Sequence, residues 1–419
     1  MLTSLFSGIL QGVSINTIGE ASEAESTLNV PLLGESSSSP AGVYSLDRKV
    51  EIGQLSELFL GRAGQALFFV TIIVYLLGDL AIYATTIADA LARVTGGWKI
   101  GKYVLNDTEA YYVYVLCVLV VVAPLGFLNF NSPYVKYLQF ATMAIRNVAL
   151  LLMISLTIDL IAKTSPAERP KIPFFKIDFA AFFGTAIYAF MCHHSLPGII
   201  APMKSKLRVT SILAMDFVII ASVYILLGIL AVICFGNDLN SLYIYKFKTF
   251  HIKPLAVFLQ LFPVFTLSSN FPLLTITLRN NMIHLVKIIM GPQKTNESEV
   301  MREPATWFRG FLFTLCALAP AFIITMFDNR NVTLLVRLTG SYPGLFIMFV
   351  FPAVLVFFAR RLQDSSPETL PSPVSNPYRS WFQSQIWLIV IGIWCIMALV
   401  LQTYNLVRAI TVSGSLFHA

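Results

Sequence analysis

The chain alternates between long apolar stretches and short polar ones. Seven windows contain no Asp, Glu, Lys or Arg: 111–135, 179–203, 217–237, 255–278, 310–327, 338–359 and 380–407. A helix of roughly 20 apolar residues crosses a bilayer core of about 30 Å, and each window is close to that length or longer. Two further stretches are apolar apart from isolated charges. Residues 64–92 hold Asp79 and Asp89, and residues 137–161 hold Arg146 and end at Asp159. The pattern predicts nine spanning helices, near 65–92, 111–130, 137–161, 179–200, 212–236, 254–278, 308–327, 334–358 and 382–406. Open strands and loops cannot face lipid, because their backbone groups would go unsatisfied. The expected fold class is therefore an all-α polytopic membrane protein. Its transmembrane domain covers 65–406, and a short tail follows over 407–419.

The remaining segments have their own character. Residues 1–19 are uncharged but rich in Ser, Thr, Asn and Gln, with no basic region of the kind that opens a secretory signal. They read as part of a membrane helix. Residues 20–51 are acidic and Ser-rich, including ESSSSPAG, and are expected to be disordered. They belong to a cytoplasmic loop over 20–64, and 20–51 itself offers a contact surface for a protein partner. Alternating the helices from there puts 131–136, 201–211, 279–307 and 359–381 on the cytoplasmic side. The sequons at Asn106 and Asn331 then face the other side as glycosylation candidates, and the one at Asn296 stays silent.

Composition agrees with the pattern. Hydrophobic residues make up 56% and charged residues 12%, against roughly 45–50% and 25% in soluble domains. This excludes a soluble enzyme, and the net charge of +7 needs no nucleic acid to explain it, since Lys and Arg collect in cytoplasmic loops of membrane proteins. All five cysteines fall in or beside apolar runs, where free thiols are expected. There is no HExxH, GxSxG, Walker loop or CxxC. No enzyme, catalytic residue or organic cofactor is expected.

Three features carry chemistry. The run YAFMCHHSLPGIIAPM (188–203) puts His193, His194, Ser195, Leu196, Pro197 and Gly198 inside a span. Proline removes a donor and glycine permits unusual dihedrals, so an unwound segment is expected there. Broken helices in secondary transporters present backbone groups to substrate and ions; a simple proline kink is the alternative. The run FPVFTLSSNFPLLTITLRNN (262–281) clusters Thr266, Ser268, Ser269 and Asn270 before Pro272. Hydroxyl, amide and freed carbonyl oxygens suit a hard cation such as sodium, and helix packing is the alternative. Asp79 lies within VYLLGDLAIYATT. A carboxylate there faces the bundle interior or a water-filled cavity, as a coupling group or as a structural hydrogen-bond acceptor. Arg146 could be a deep partner for an acidic residue, without the spacing saying which.

These runs, with IIVYLLGDLAIYATTI (72–87), FMCHHSLPGIIAPMKSK (190–206) and LTGSYPG (338–344), resemble the amino acid/auxin permease family from about residue 48 to near the C-terminus. The resemblance implies an inverted-repeat bundle of eleven helices. Substrate would bind between a broken first and sixth helix, and a cation between the first and eighth. On this chain the sixth helix corresponds to 188–200 and the eighth to 254–278. His193–Gly198 then become substrate-site candidates and Thr266, Ser268, Ser269 and Asn270 cation-site candidates, with Asp79 on the third helix. A first helix of the GTGALTMP type is expected from the family and nothing like it occurs, so 1–19 reads as a remnant of the second helix in an N-terminally incomplete bundle. The implied activity is amino acid transport by alternating access, coupled to sodium or protons, in a plasma, endosomal or lysosomal membrane. The alternative is a non-transporting membrane sensor or partner-binding protein on the same scaffold.

Overall fold

The computed structural model of the chain describes residues 52–96, 99–100, 103–104, 106–122, 134–164, 179–200, 208–236, 243–249, 252–290, 314–315, 318–326, 332–365 and 384–413, with Pro170 and Met203 singly. The 1–19 and 20–51 segments, Asn296, Asn331 and the end of the tail lie outside the described residues. Ten helices are bounded here: α1 (Ile52–Thr95), α2 (Asp107–Cys117), α3 (Tyr134–Lys163), α4 (Phe179–Phe190), α5 (Leu196–Ile200), α6 (Val209–Phe235), α7 (Lys253–Met290), α8 (Val332–Thr339), α9 (Phe351–Ser365) and α10 (Gln385–Ser413). A minimal antiparallel pairing sets Lys99 opposite Val104. The protein is an all-α polytopic membrane protein.

Among the described residues, six stretches are long and apolar enough to cross a membrane: α1, Tyr137–Lys163, α6, α7, Val332–Arg361 and Gln385–Tyr404. The other three of the nine expected spans differ for local reasons. The 111–130 span starts in α2, continues as a π-helical turn over Val118–Val122, and then leaves the described residues. The 308–327 span is described over 314–315 and 318–326. The 179–200 span is broken. Large apolar side chains such as Val218, Ile219, Ile393 and Val400 are exposed along the spans, as a lipid-facing surface requires.

α1 begins well before residue 65, so 52–60 is helix where the sequence reads as loop. Its exposed face carries Gln54 and Glu57, which hide the helix in a hydropathy scan, while Leu55 and Phe59 pack on Leu355 and Ala359. Gly61 ends this piece with φ 63° and ψ −168°, a region that side chains disfavour. At the other end, α10 continues to Ser413, beyond the expected boundary at 406.

The chain forms two compact units. One contains residues up to Ile72, Phe179–Ser222 and Thr339–Gly414. Its core joins Phe183 and Ile187 of α4, Leu345, Met348 and Val356, and Ile391, Cys395 and Ala398 of α10. Between α8 and α9 the helix takes two π-helical segments, Gly340–Gly344 and Phe346–Val350. Gly340 crosses α4 so closely that a Cβ there would lie 1.9 Å from the Gly184 carbonyl oxygen. A Cβ on Gly344 would lie 3.0 Å from Ile187 and 3.3 Å from Met191. Small residues permit this kind of approach between membrane helices.

The other unit contains Ile73–Asp178 and Val223–Leu338. Here α3 packs on α7, and Ala149, Met153 and Leu259 share a core with Ile244, Tyr245 and Phe247 of a 3-10 helix over Tyr243–Thr249. Farther along the same unit, the Tyr111 hydroxyl donates to the Thr325 carbonyl at 3.0 Å.

Candidate functional site

α4 stops at Phe190. The Met191 amide bonds back to the Tyr188 carbonyl at 3.4 Å, and Cys192 leaves helical dihedrals at φ −134°, ψ 3°. A 3-10 turn over His193–Ser195 follows, then α5. The expected break is present, but it lies at Met191–Cys192, immediately before HHSLPG. The correction has a simple cause. Proline is tolerated in the first turn of a helix, where its missing donor costs nothing, and Pro197 sits there in α5. Without an N–H at 197, the His193 carbonyl takes the Leu196 amide instead, which tightens 193–195 into a 3-10 turn.

The break gathers the substrate-site candidates within one segment. Leu196 and Pro197 are buried, His194 is half-buried and Ser195 is exposed. His193 is 2% exposed. Its Nδ1 and Nε2 are both buried without a hydrogen-bond partner among the described residues. A neutral imidazole offers one donor and one acceptor, so this side chain has a full complement of unused polar capacity at the interruption of a helix.

Thr266, Ser268, Ser269 and Asn270 lie in the other unit, along α7. This helix contains Pro263 and Pro272 and stays continuous. The Thr266 hydroxyl donates to the Phe262 and Pro263 carbonyls at 3.0 and 3.3 Å, and the Ser269 hydroxyl to the Thr266 carbonyl at 2.9 Å. Their lone pairs stay available as acceptors. Pro272 has no N–H for the Ser268 carbonyl four residues earlier. That oxygen joins the set as the kind of hard ligand a small cation takes. Asp79 is 5% exposed on α1. Tyr83, one turn along, feels the charges of both Asp79 and Arg146, which identifies the neighbourhood that Arg146 serves.

One further cluster joins residues remote in the sequence. The Asp89 carboxylate pairs with Arg93 Nε at 2.9 Å, and the Arg93 guanidinium lies 4.2 Å from the centre of the Tyr245 ring. Burial beside Asp89 pushes the Tyr245 phenol well above its ordinary pKa, although Arg93 pulls the other way. Thr157 and Tyr243 share a hydrogen bond. The segment Tyr243–Thr249 is thus tied to the ends of α1 and α3. The i,i+4 spacing of Asp89 and Arg93 was readable in the sequence; their partner Tyr245 was not. Asn106 is exposed at the start of α2.

Residues 46–396 match the family model described as "Transmembrane amino acid transporter protein". The chain belongs to that family. Within it, the similarity is to the transmembrane protein 104 branch. The chain is 38% identical to a Transmembrane protein 104 homolog of Dictyostelium discoideum, over 89% of this chain and 74% of that protein. It is 33% identical to the Drosophila melanogaster homolog over 87% and 74%, and 32% identical to Transmembrane protein 104 of Homo sapiens over 91% and 77%. Membership in the transmembrane amino acid transporter family makes it a multi-pass integral membrane protein with a transporter's scaffold.

Proposed function

We propose that the chain is a secondary transporter of amino acids, driven by a sodium or proton gradient through alternating access. The observation that carries this reading is His193, fully buried at the break of a membrane helix with neither ring nitrogen partnered among the described residues. A buried unsatisfied polar group costs about 1–3 kcal/mol. A ligand with its own donors and acceptors offsets that cost when it binds. The backbone groups around 191–195 bind the charged ends of an amino acid, and His193 completes the contact. Ser268, Ser269, Thr266 and Asn270 hold the coupling cation, and Asp79 serves as the coupling carboxylate.

The test is uptake of a panel of radiolabelled amino acids into vesicles reconstituted with the full chain, under sodium and proton gradients imposed separately. Uptake of one class under one gradient, lost on His193→Ala, supports the proposal. No uptake of any amino acid under either gradient, by protein that is folded and monodisperse, overturns it.

A further inference from the structure

Away from the broken helix, α9 and α10 leave a groove of about 620 Å³ between them. This is within the roughly 300–1,000 Å³ of small-molecule sites. Its lining repeats at helical spacing on both sides. On α9 the stripe is Ala353, Val354, Phe357 and Phe358; on α10 it is Leu388, Ile389, Gly392, Cys395, Ile396 and Leu399. Ile391 and Cys395 are buried at its floor, while Phe357, Ile389 and Ile396 are exposed. The groove therefore opens sideways, toward the lipid. Gly392 widens it: a Cβ built there meets nothing within 4 Å.

The two ends differ. Consecutive spans run in opposite directions, so the start of α10 lies level with the end of α9. At that level the groove is lined by Gln385. One turn past Phe357 and Phe358, the α9 stripe reaches the exposed Arg361, with the half-buried Arg360 beside it. From Gln385 to Leu399 the wall is about 21 Å of helix. That is somewhat more than the hydrocarbon depth of one leaflet, about 15 Å. All the charge is at one end, in the last turns of α9, and the rest of the lining is apolar.

We infer that this groove is a binding site for an anionic phospholipid of the membrane. One acyl chain lies along the α9–α10 groove over Gly392, and the phosphate sits at Arg361 with Gln385 beside it. A soluble apolar ligand has no use for the arginines, and a zwitterionic lipid gains less from them. Basic residues where membrane helices meet the cytoplasmic face select anionic headgroups in this way.

The experiment uses the full chain in vesicles containing either phosphatidylserine or phosphatidylcholine with a photoreactive acyl chain. The expected result is labelling of peptides spanning 353–358 and 388–399, about fivefold stronger from the anionic probe. Arg361→Ala, at an exposed position and checked for an unchanged melting temperature, removes that preference. Gly392→Leu, which fills the notch, removes labelling of these peptides by both probes, while Gly228→Leu, also in open space, does not. Equal labelling by the two probes overturns the inference. So does labelling that persists in Gly392→Leu, competition by a sterol, or cross-linking of the groove to the 366–383 loop or to a second copy of the chain. These outcomes do not depend on whether the chain carries amino acids.

Discussion

Pro197 and Pro272 each remove a donor from a helix that the sequence marks as polar, yet only Pro197 lies beside a break. In α7 the proline is interior. The ladder continues on both sides, and its effect is limited to the Ser268 carbonyl. On the other segment the chain has already left the helix at Cys192, and Pro197 merely starts α5. What distinguishes the two is packing. The last turns of α4 are pressed against Gly340 and Gly344, which reach Gly184, Ile187 and Met191. That fixes where α4 ends. The two regions consequently present different chemistry: an unpartnered imidazole at the break, and a carbonyl with neighbouring hydroxyls on the continuous helix.

The largest effect is expected where the break is pinned. Gly340→Ala puts a methyl group 1.9 Å from the Gly184 oxygen, which forces the helices apart and costs about 3 kcal/mol or more. Gly392→Ala enters open space and should leave thermal stability unchanged or slightly raised, by about 0.5–1 kcal/mol of helix propensity. If thermal-shift measurements rank the two alike, glycine packing does not set the position of the break.

His193→Phe separates function from structure. It removes two buried unsatisfied nitrogens, each worth about 1–3 kcal/mol, so the folded protein should melt at the same temperature or higher. Uptake should fall by about tenfold or more, the loss of one good hydrogen bond in binding. A variant that melts lower and transports normally would return His193 to a purely structural role.

A proline exchange compares the two regions directly. Pro197→Ala supplies an amide to the His193 carbonyl and turns the 3-10 turn toward α-helix, a change of about 1 kcal/mol. It should weaken apparent substrate affinity and leave ion dependence alone. Pro272→Ala supplies an amide to the Ser268 carbonyl and should weaken ion dependence first. Kinetics in which both variants alter the same parameter would erase the distinction between the sites.

The smallest effect is at the Tyr243–Thr249 segment. Tyr245→Phe keeps the ring under the Arg93 guanidinium and removes a buried hydroxyl that has no hydrogen-bond partner among the described residues, so the melting temperature should hold or rise slightly. Arg93→Ala loses both the ring contact and the Asp89 ion pair, and should lower the melting temperature. Equal effects would mean that neither the ring contact nor the ion pair contributes.

The spans were readable because lipid excludes charge, and charge is easy to see in a sequence. The polar run at 193–198 stood out for the same reason. The exact break did not, because a proline suggests the point of failure, whereas here it opens the next helix and the failure is set by glycines some 150 residues away. The helix over 52–60 was hidden by Glu57 and Gln54 on its outer face. Tyr245 looked like any loop aromatic, since its partners Asp89 and Arg93 are remote in sequence. Packing between distant positions is what hydropathy and local spacing leave out.

The two π-helical segments in Val332–Arg361 act as a phase setting. Each π turn takes up an extra residue relative to an α turn, and one residue of an α-helix corresponds to a rotation of about 100°. Everything below Val350, including Phe357 and Arg361, is therefore aimed by the ten residues of GSYPG and FIMFV. Deleting a single residue between 340 and 350 would keep composition, hydropathy and span length nearly intact. It would still turn the lower half of the helix by more than a quarter revolution and carry Arg361 off the mouth of the groove.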